Sequence, residues 1–265
     1  MMLNCAVNTG GIRSKMRSER AADIGIVVAV VALLGLQVLL FLWNASMVWV
    51  PAIAVLLRWQ HLSEHVHVHR PLLDSRFGKG VIDILLVLST GVPVDIYYIH
   101  HVATHHRLDG TAQDWTSPFA FPRAHFPDRP VSMPQYVVTF FWRAWVRGTK
   151  AALAAERTVS LAASVGALVT LIVLGALCQP VGLVKFFVVP WFVLYLLAPV
   201  ANWLHHSHCA YTSWDTAANS RFGLLNRTVG LNIGYHAAHH VDPDLHWTAL
   251  PTLHRSLSDT RTEQA

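Results

Sequence analysis

The chain is poor in charge. Of its 265 residues only 13% are Asp, Glu, Lys or Arg, while 53% are hydrophobic. A soluble domain carries nearer a quarter charged residues, so this balance points away from an aqueous surface and toward lipid. Cysteine is scarce as well. Cys5, Cys178 and Cys209 are the three copies, widely spaced, which excludes a disulfide framework and a thiolate metal site. The net charge of +5 has no basic stripe interleaved with aromatics behind it, so nucleic acid is not an expected partner. Flavin, haem and iron–sulfur motifs are missing, as are internal repeats, low-complexity tracts and a separable soluble domain.

What is there begins with long apolar runs. Arg13, Lys15, Arg17 and Arg20 precede Ile24–Trp43, twenty residues in which Gln37 is the strongly polar exception. At about 1.5 Å per residue such a run spans roughly 30 Å, the hydrocarbon thickness of a bilayer. It is too long for a signal-peptide core, and no small-residue cleavage site follows, so a retained transmembrane helix is expected. Asn44–Ser46 then leads into Met47–Leu57, which reaches spanning length if the helix runs on through Trp59 and Gln60. Val159–Cys178 and Val181–Ala201 form a second pair around the turn Gln179–Pro180, with Pro190 and Pro199 as expected kinks. Val81–Ile99 and Val131–Val146 are too interrupted or too aromatic to span, and read as interfacial or re-entrant pieces.

The fold class expected is therefore all-α integral membrane: four transmembrane helices in two hairpins, with a helical cap on one side. The short outer linkers carry no Lys or Arg, whereas Arg58, Arg70, Arg76, Lys79, Arg143, Arg147, Lys150 and Arg157 gather on the other side with the N-terminal basic residues. The positive-inside rule makes that side cytoplasmic, together with both termini. Residues 1–23 read as a basic tail, 24–256 as the membrane domain and 257–265 as a polar tail.

Histidine is the excess, with 17 copies. Four clusters hold most of them: His61-Leu-Ser-Glu-His65, His101-Val-Ala-Thr-His105-His106, Asn202-Trp-Leu-His205-His206 and His236-Ala-Ala-His239-His240. On an α-helix, residues three or four apart share a face. Each paired box can thus offer two imidazoles to one cavity, and each doubled histidine adds another about 100° round the helix. One histidine near a membrane is most often a hydrogen-bonded structural residue. Four boxes at one predicted depth exceed what a single tetrahedral zinc uses, and so point to two metals. Imidazole alone does not choose among iron, copper, zinc and nickel.

The order HxxxH, HxxxHH, NxxxH, HxxHH resembles the membrane fatty-acid desaturase and hydroxylase superfamily, which includes alkane hydroxylases and carotenoid ketolases. The likeness covers about residues 24–256, including the segment from Gly234 through His236, His239 and His240 to Asp242, Trp247 and Pro251. It implies a non-haem di-iron site with His61, His65, His101, His105, His106, His206, His236, His239 and His240 as ligands. Asn202 matches the family's asparagine, a contact to metal through water. The run His65-Val-His-Val-His69 permits a different first box, His65 with His69; the spacing to Arg70 and Asp74 favours His61 with His65. His67, His69, His100, His208, His246 and His254 read as supporting or surface residues, and His125 as a loop residue. Asp114, Asp215 and Asp242 are candidates to orient imidazoles by accepting their second N–H.

Together these readings imply oxygen-dependent oxidation of an unactivated C–H bond in a fatty-acyl or isoprenoid-type substrate. Two irons and O2 are the expected cofactors, desaturation is the outcome read first, and hydroxylation or ketolation the alternative. Electrons must come from a separate ferredoxin, rubredoxin or cytochrome-type donor with its reductase, and the basic face offers it a dock. The loop Leu108–Asp128 is placed to cap the site. Two other readings compete: a membrane metalloprotease using His61-Leu-Ser-Glu64-His65 as an HxxEH motif, and a membrane carrier of metal or haem. Neither uses all four boxes.

Overall fold

The structure, a computed structural model, describes residues 9–109, 111, 113–119, 131–209, 216–221, 226 and 229–263. All regular elements among them are helical. Helix α1 (Thr9–Leu42) leads through a short 3-10 turn into α2 (Val50–His69). Helix α3 (Arg76–Thr90) and α4 (Val94–Tyr98) follow, and α4 continues as a π-helical turn over Ile99–His106. Then come α5 (Met133–Ala154), α6 (Thr158–Cys178), and a long run made of α7 (Pro180–Leu183), a π turn (Val184–Val188) and α8 (Val189–His206). The cap adds α9 (His236–Val241) and α10 (Leu250–Glu263).

Three helical stretches are long and apolar enough to cross a membrane: Lys15–Leu42, Thr158–Cys178 and Pro180–His206. A fourth arises if the bent pair Arg76–Thr90 and Val94–His106, folded by 93°, counts as one broken span. The second span expected from sequence differs. Helix α2 is continuous for 20 residues, as foreseen, but its second half carries Arg58, Gln60, His61, Glu64, His65, His67 and His69. It is a core helix more than a lipid-facing one: Gln60, Ser63 and Glu64 are fully buried. The expected boundaries at residues 23 and 256 fall inside α1 and α10.

At 34 residues α1 is roughly 50 Å long, more than a bilayer core needs. Its excess reaches the cap. Glu19 pairs with Arg70 at 3.6 Å, Arg20 with Asp74, and Asp23 accepts from His246 Nε2 at 3.0 Å. Deeper in α1, Gln37 is buried, and its amide donates to the Phe186 carbonyl at 2.7 Å. The one polar interruption of the first apolar run is thus a cross-helix tie.

The α3–α4 bend has a local cause. Gly91 ends α3 at φ +74, with Trp191 atoms 2.8 Å from where a Cβ would stand. Pro93 follows, and the carbonyls left open at the bend are taken up from α8. Trp191 Nε1 donates to the Ser89 carbonyl at 2.7 Å, and the Tyr195 hydroxyl to that of Gly91 at 2.6 Å. Satisfying broken-helix carbonyls from a neighbouring helix is what an apolar surrounding demands. The bend delivers Ile99–His106 underneath the ends of α2 and α8.

Candidate metal centre

Four elements converge at the polar end of the bundle: the last turns of α2 and α8, the π turn after α4, and α9. Their imidazoles sort into two adjoining groups. His65, His69, His101, His106 and His239 form one, His105, His206, His236 and His240 the other; within each, one ligand atom per residue lies within 4.8 Å of every other.

Helix geometry explains the sorting. His65 and His69 are four apart on an α-helix and share a face. The second box is not α-helical: Ile99–His106 is a π turn, bonded i→i+5. Five-residue spacing therefore brings His101 and His106 to the first group, while His105 turns to the second. The α-helical pairing of His101 with His105 expected from sequence is replaced for this reason. In α9, His236 and His240 serve the second group by four-residue spacing, and His239 the first.

The second group is tied from behind. His206 Nδ1 donates to the Ala217 carbonyl at 2.9 Å, and His105 Nδ1 to Asp114 Oδ2 at 3.0 Å. Both hydrogen bonds put a ring proton on Nδ1 and turn Nε2 toward the other rings of the group. His105 Nε2 and His206 Nε2 are 3.0 Å apart, as are the Nε2 atoms of His206 and His236. Nitrogens this close must share either a proton or a cation. Two nitrogens about 2.1 Å from a metal, at right angles, are about 3.0 Å apart. The donor set fits a metal.

Asp109 is the further acid. It is enclosed beside the second group, Oδ2 being 3.1 Å from His240 Nδ1 and 3.8 Å from His206 Nδ1. Sequence reasoning missed it; three residues past the doubled histidine, it looked like a loop carboxylate. Burial acts to raise the Asp114 carboxyl's pKa. The charge and hydrogen bond of His105, with the Thr116 N–H and hydroxyl, outweigh that and hold it below the usual carboxylate range. Both groups also bury ring nitrogens with no hydrogen-bond partner among the described residues: Nε2 of His65, His101, His106 and His239 in the first, Nδ1 of His236 and both nitrogens of His240 in the second. Burial, then neighbouring histidines, push His236, His239 and His240 below the ordinary histidine pKa, so these rings are neutral donors at pH 7.

Other expected site residues lie elsewhere. His61 is in neither group; its Nδ1 is 3.2 Å from Glu64 Oε2 and its ring packs on Tyr97. The place that sequence spacing gave to His61 is held by His69, because the chain stays helical to residue 69 and one more turn carries His69 under His101, His106 and His239. The HxxEH pair is therefore not assembled. Asn202 stands in the cavity wall, and its amide donates to the Thr116 carbonyl at 3.3 Å and to the Tyr136 hydroxyl. His67 is hydrogen-bonded to Asp83 at 2.8 Å and His246 to Asp23, both as supporting residues; Asp242 is exposed at the end of α9. His125 and Asp215 lie outside the described residues, as does part of the loop Leu108–Asp128.

Beside the groups lies a cavity of about 120 Å³, walled by apolar side chains of α4, α5 and α8 and touched by His65, His101, His105 and His236. Residues 47–265 match the family model described as "Fatty acid desaturase". No curated protein and no solved structure matches the chain.

Proposed function

Since the chain belongs to the fatty acid desaturase family, a family of membrane oxidoreductases, we propose that it oxidises an unactivated C–H bond of an acyl-type apolar substrate at a non-haem di-iron site, desaturation being the first outcome to test. The observation that carries this reading is the pair of adjoining buried groups, five and four imidazoles, with apposed Nε2 atoms. Nine imidazoles exceed the need of one ion, and the neutral nitrogen set suits iron. When bound, the metal pair supplies reduction of dioxygen and removal of hydrogen from carbon.

This chain's own residues do the rest. His65, His69, His101, His106 and His239 would hold one ion; His105, His206, His236 and His240 would hold the other. Asp114 and the Ala217 carbonyl orient His105 and His206, and the Asp109 carboxylate stands 3.1 Å from His240 Nδ1. Asn202 keeps Thr116, and with it Asp114, against Tyr136. Apolar walls exclude water from the reacting carbon. The site then faces the cytoplasm, and electrons arrive from a separate ferredoxin, rubredoxin or cytochrome-type donor.

The test is turnover by the purified chain with a donor system under oxygen, on fatty-acyl and isoprenoid substrates. Oxygen-dependent loss of two hydrogens from the product supports desaturation, and gain of one oxygen atom supports hydroxylation. One zinc per chain with peptide cleavage overturns the reading.

A further inference from the structure

Arg58 has no counter-charge among the described residues. It sits one turn before His61 on α2, partly buried, and lines the cavity. Among the described residues it has no ion pair, hydrogen bond or aromatic face. Arg70 and Arg157, by contrast, are engaged, Arg70 by Glu19 and Arg157 by Asp95 at 3.0 Å. Of the described acids, Glu64 faces His61 and Asp114 serves His105 and Thr116, and neither forms an ion pair with Arg58. Enclosing an unpaired guanidinium is costly, and cavities that keep one keep it for a ligand.

The surroundings describe that ligand. Arg58, His61, Leu62 and His65 recur at i, i+3, i+4 and i+7, the spacing of one helix face, and all four line the cavity. Opposite stand Phe140, Ala144, Trp145, Leu194 and Tyr195, an apolar wall. One arginine in a chamber lined mostly by apolar surface matches a single negative charge on an aliphatic body. The planar guanidinium suits a carboxylate. At 10–15 Å³ per water-sized position, 120 Å³ gives roughly ten positions, the size of a medium-length acid or the head-proximal part of a longer one. Seven residues separate Arg58 from His65, roughly 10 Å along the helix.

We propose that this cavity binds a free aliphatic carboxylic acid by its carboxylate, with Arg58 as counter-ion, so that the acid is oxidised roughly 10 Å along from its carboxylate. The position of oxidation rests on the oxidase reading above; the binding of the acid does not. The reaction that supplies such a substrate is then a hydrolysis releasing free acids from esters or thioesters.

Equilibrium binding to the purified full chain in neutral detergent tests this, with octanoate, methyl octanoate and octyl phosphate as probes and metal content measured on the same samples. Octanoate is expected to bind at least about tenfold tighter than the ester. Arg58→Gln should erase that preference at unchanged metal content, and Arg58→Lys should keep part of it. Equal binding of acid and ester by the unsubstituted chain, a preference that survives Arg58→Gln, or tighter binding of octyl phosphate overturns the proposal. The three-probe comparison on the unsubstituted chain decides even if Arg58→Gln fails to fold. A preference for octanoate in a chain that takes up no iron supports the acid site while refuting the oxidase reading.

Discussion

The two imidazole groups are built differently. Two rings of the second, His105 and His206, are braced from behind by Asp114 and the Ala217 carbonyl, so these two are aimed whether or not a metal is bound. The first has more nitrogens, yet among the described residues no carboxylate or carbonyl is hydrogen-bonded to its rings. A braced ring loses little freedom on binding; an unbraced one must be ordered by the ion itself. The second group should therefore hold its ion more tightly and exchange it more slowly, and the first should be the labile position.

The largest effect should come from removing an imidazole. His239→Ala in the first group or His240→Ala in the second should lower oxygen-dependent turnover by more than about a hundredfold, beyond the range typical of supporting residues. The chain should still enter the membrane, as fractionation would show. His69→Ala should behave alike, whereas His61→Ala should keep full metal stoichiometry; metal analysis of that pair separates the two possible first boxes. Next in size, Asp114→Asn and Asp109→Asn should each weaken metal affinity about 10- to 100-fold, with the loss falling on the second ion. Loss of the first ion instead would reverse the comparison.

Acid should act on both groups. His236, His239 and His240 have folded-state pKa values below the ordinary 6.5, so below that pH the unfolded chain binds more protons than the folded one. Stability conferred by keeping them neutral is present above about pH 6.5 and falls as the pH drops toward their folded values. Protons also compete with metal, so metal release should accompany this loss between about pH 7 and 5, the first ion leaving earlier. The smallest effect is expected far from the centre. Asp23→Ala removes the hydrogen bond that ties α1 to His246, worth about 1 kcal/mol, and should shift thermal unfolding slightly without altering metal content.

Much of the fold was legible because burial in lipid writes itself as long apolar runs. Ile24–Trp43 and the pair around Gln179–Pro180 appear within helices long enough to span. Helix α2 was harder, since a helix buried by protein can carry Arg58, Gln60, Glu64 and four histidines in successive turns that no hydropathy window recognises. In the site, the four boxes were visible as spacing, but their pairing was not. The π turn over Ile99–His106 shifts the face by one residue, and nothing in Ile-His-His-Val-Ala-Thr-His-His announces i→i+5 bonding. His69 was visible as an alternative to His61, and the choice depended on where α2 ends. Asp109 was invisible because its role comes from α8 and α9 closing over it.

The decisive measurement is iron stoichiometry of the purified chain after anaerobic loading, with and without His69→Ala. Two irons per chain, falling toward one in the variant while the braced position stays filled, is the result expected from two adjoining groups. One ion per chain in the unsubstituted protein, or two ions retained undiminished in His69→Ala, would contradict it.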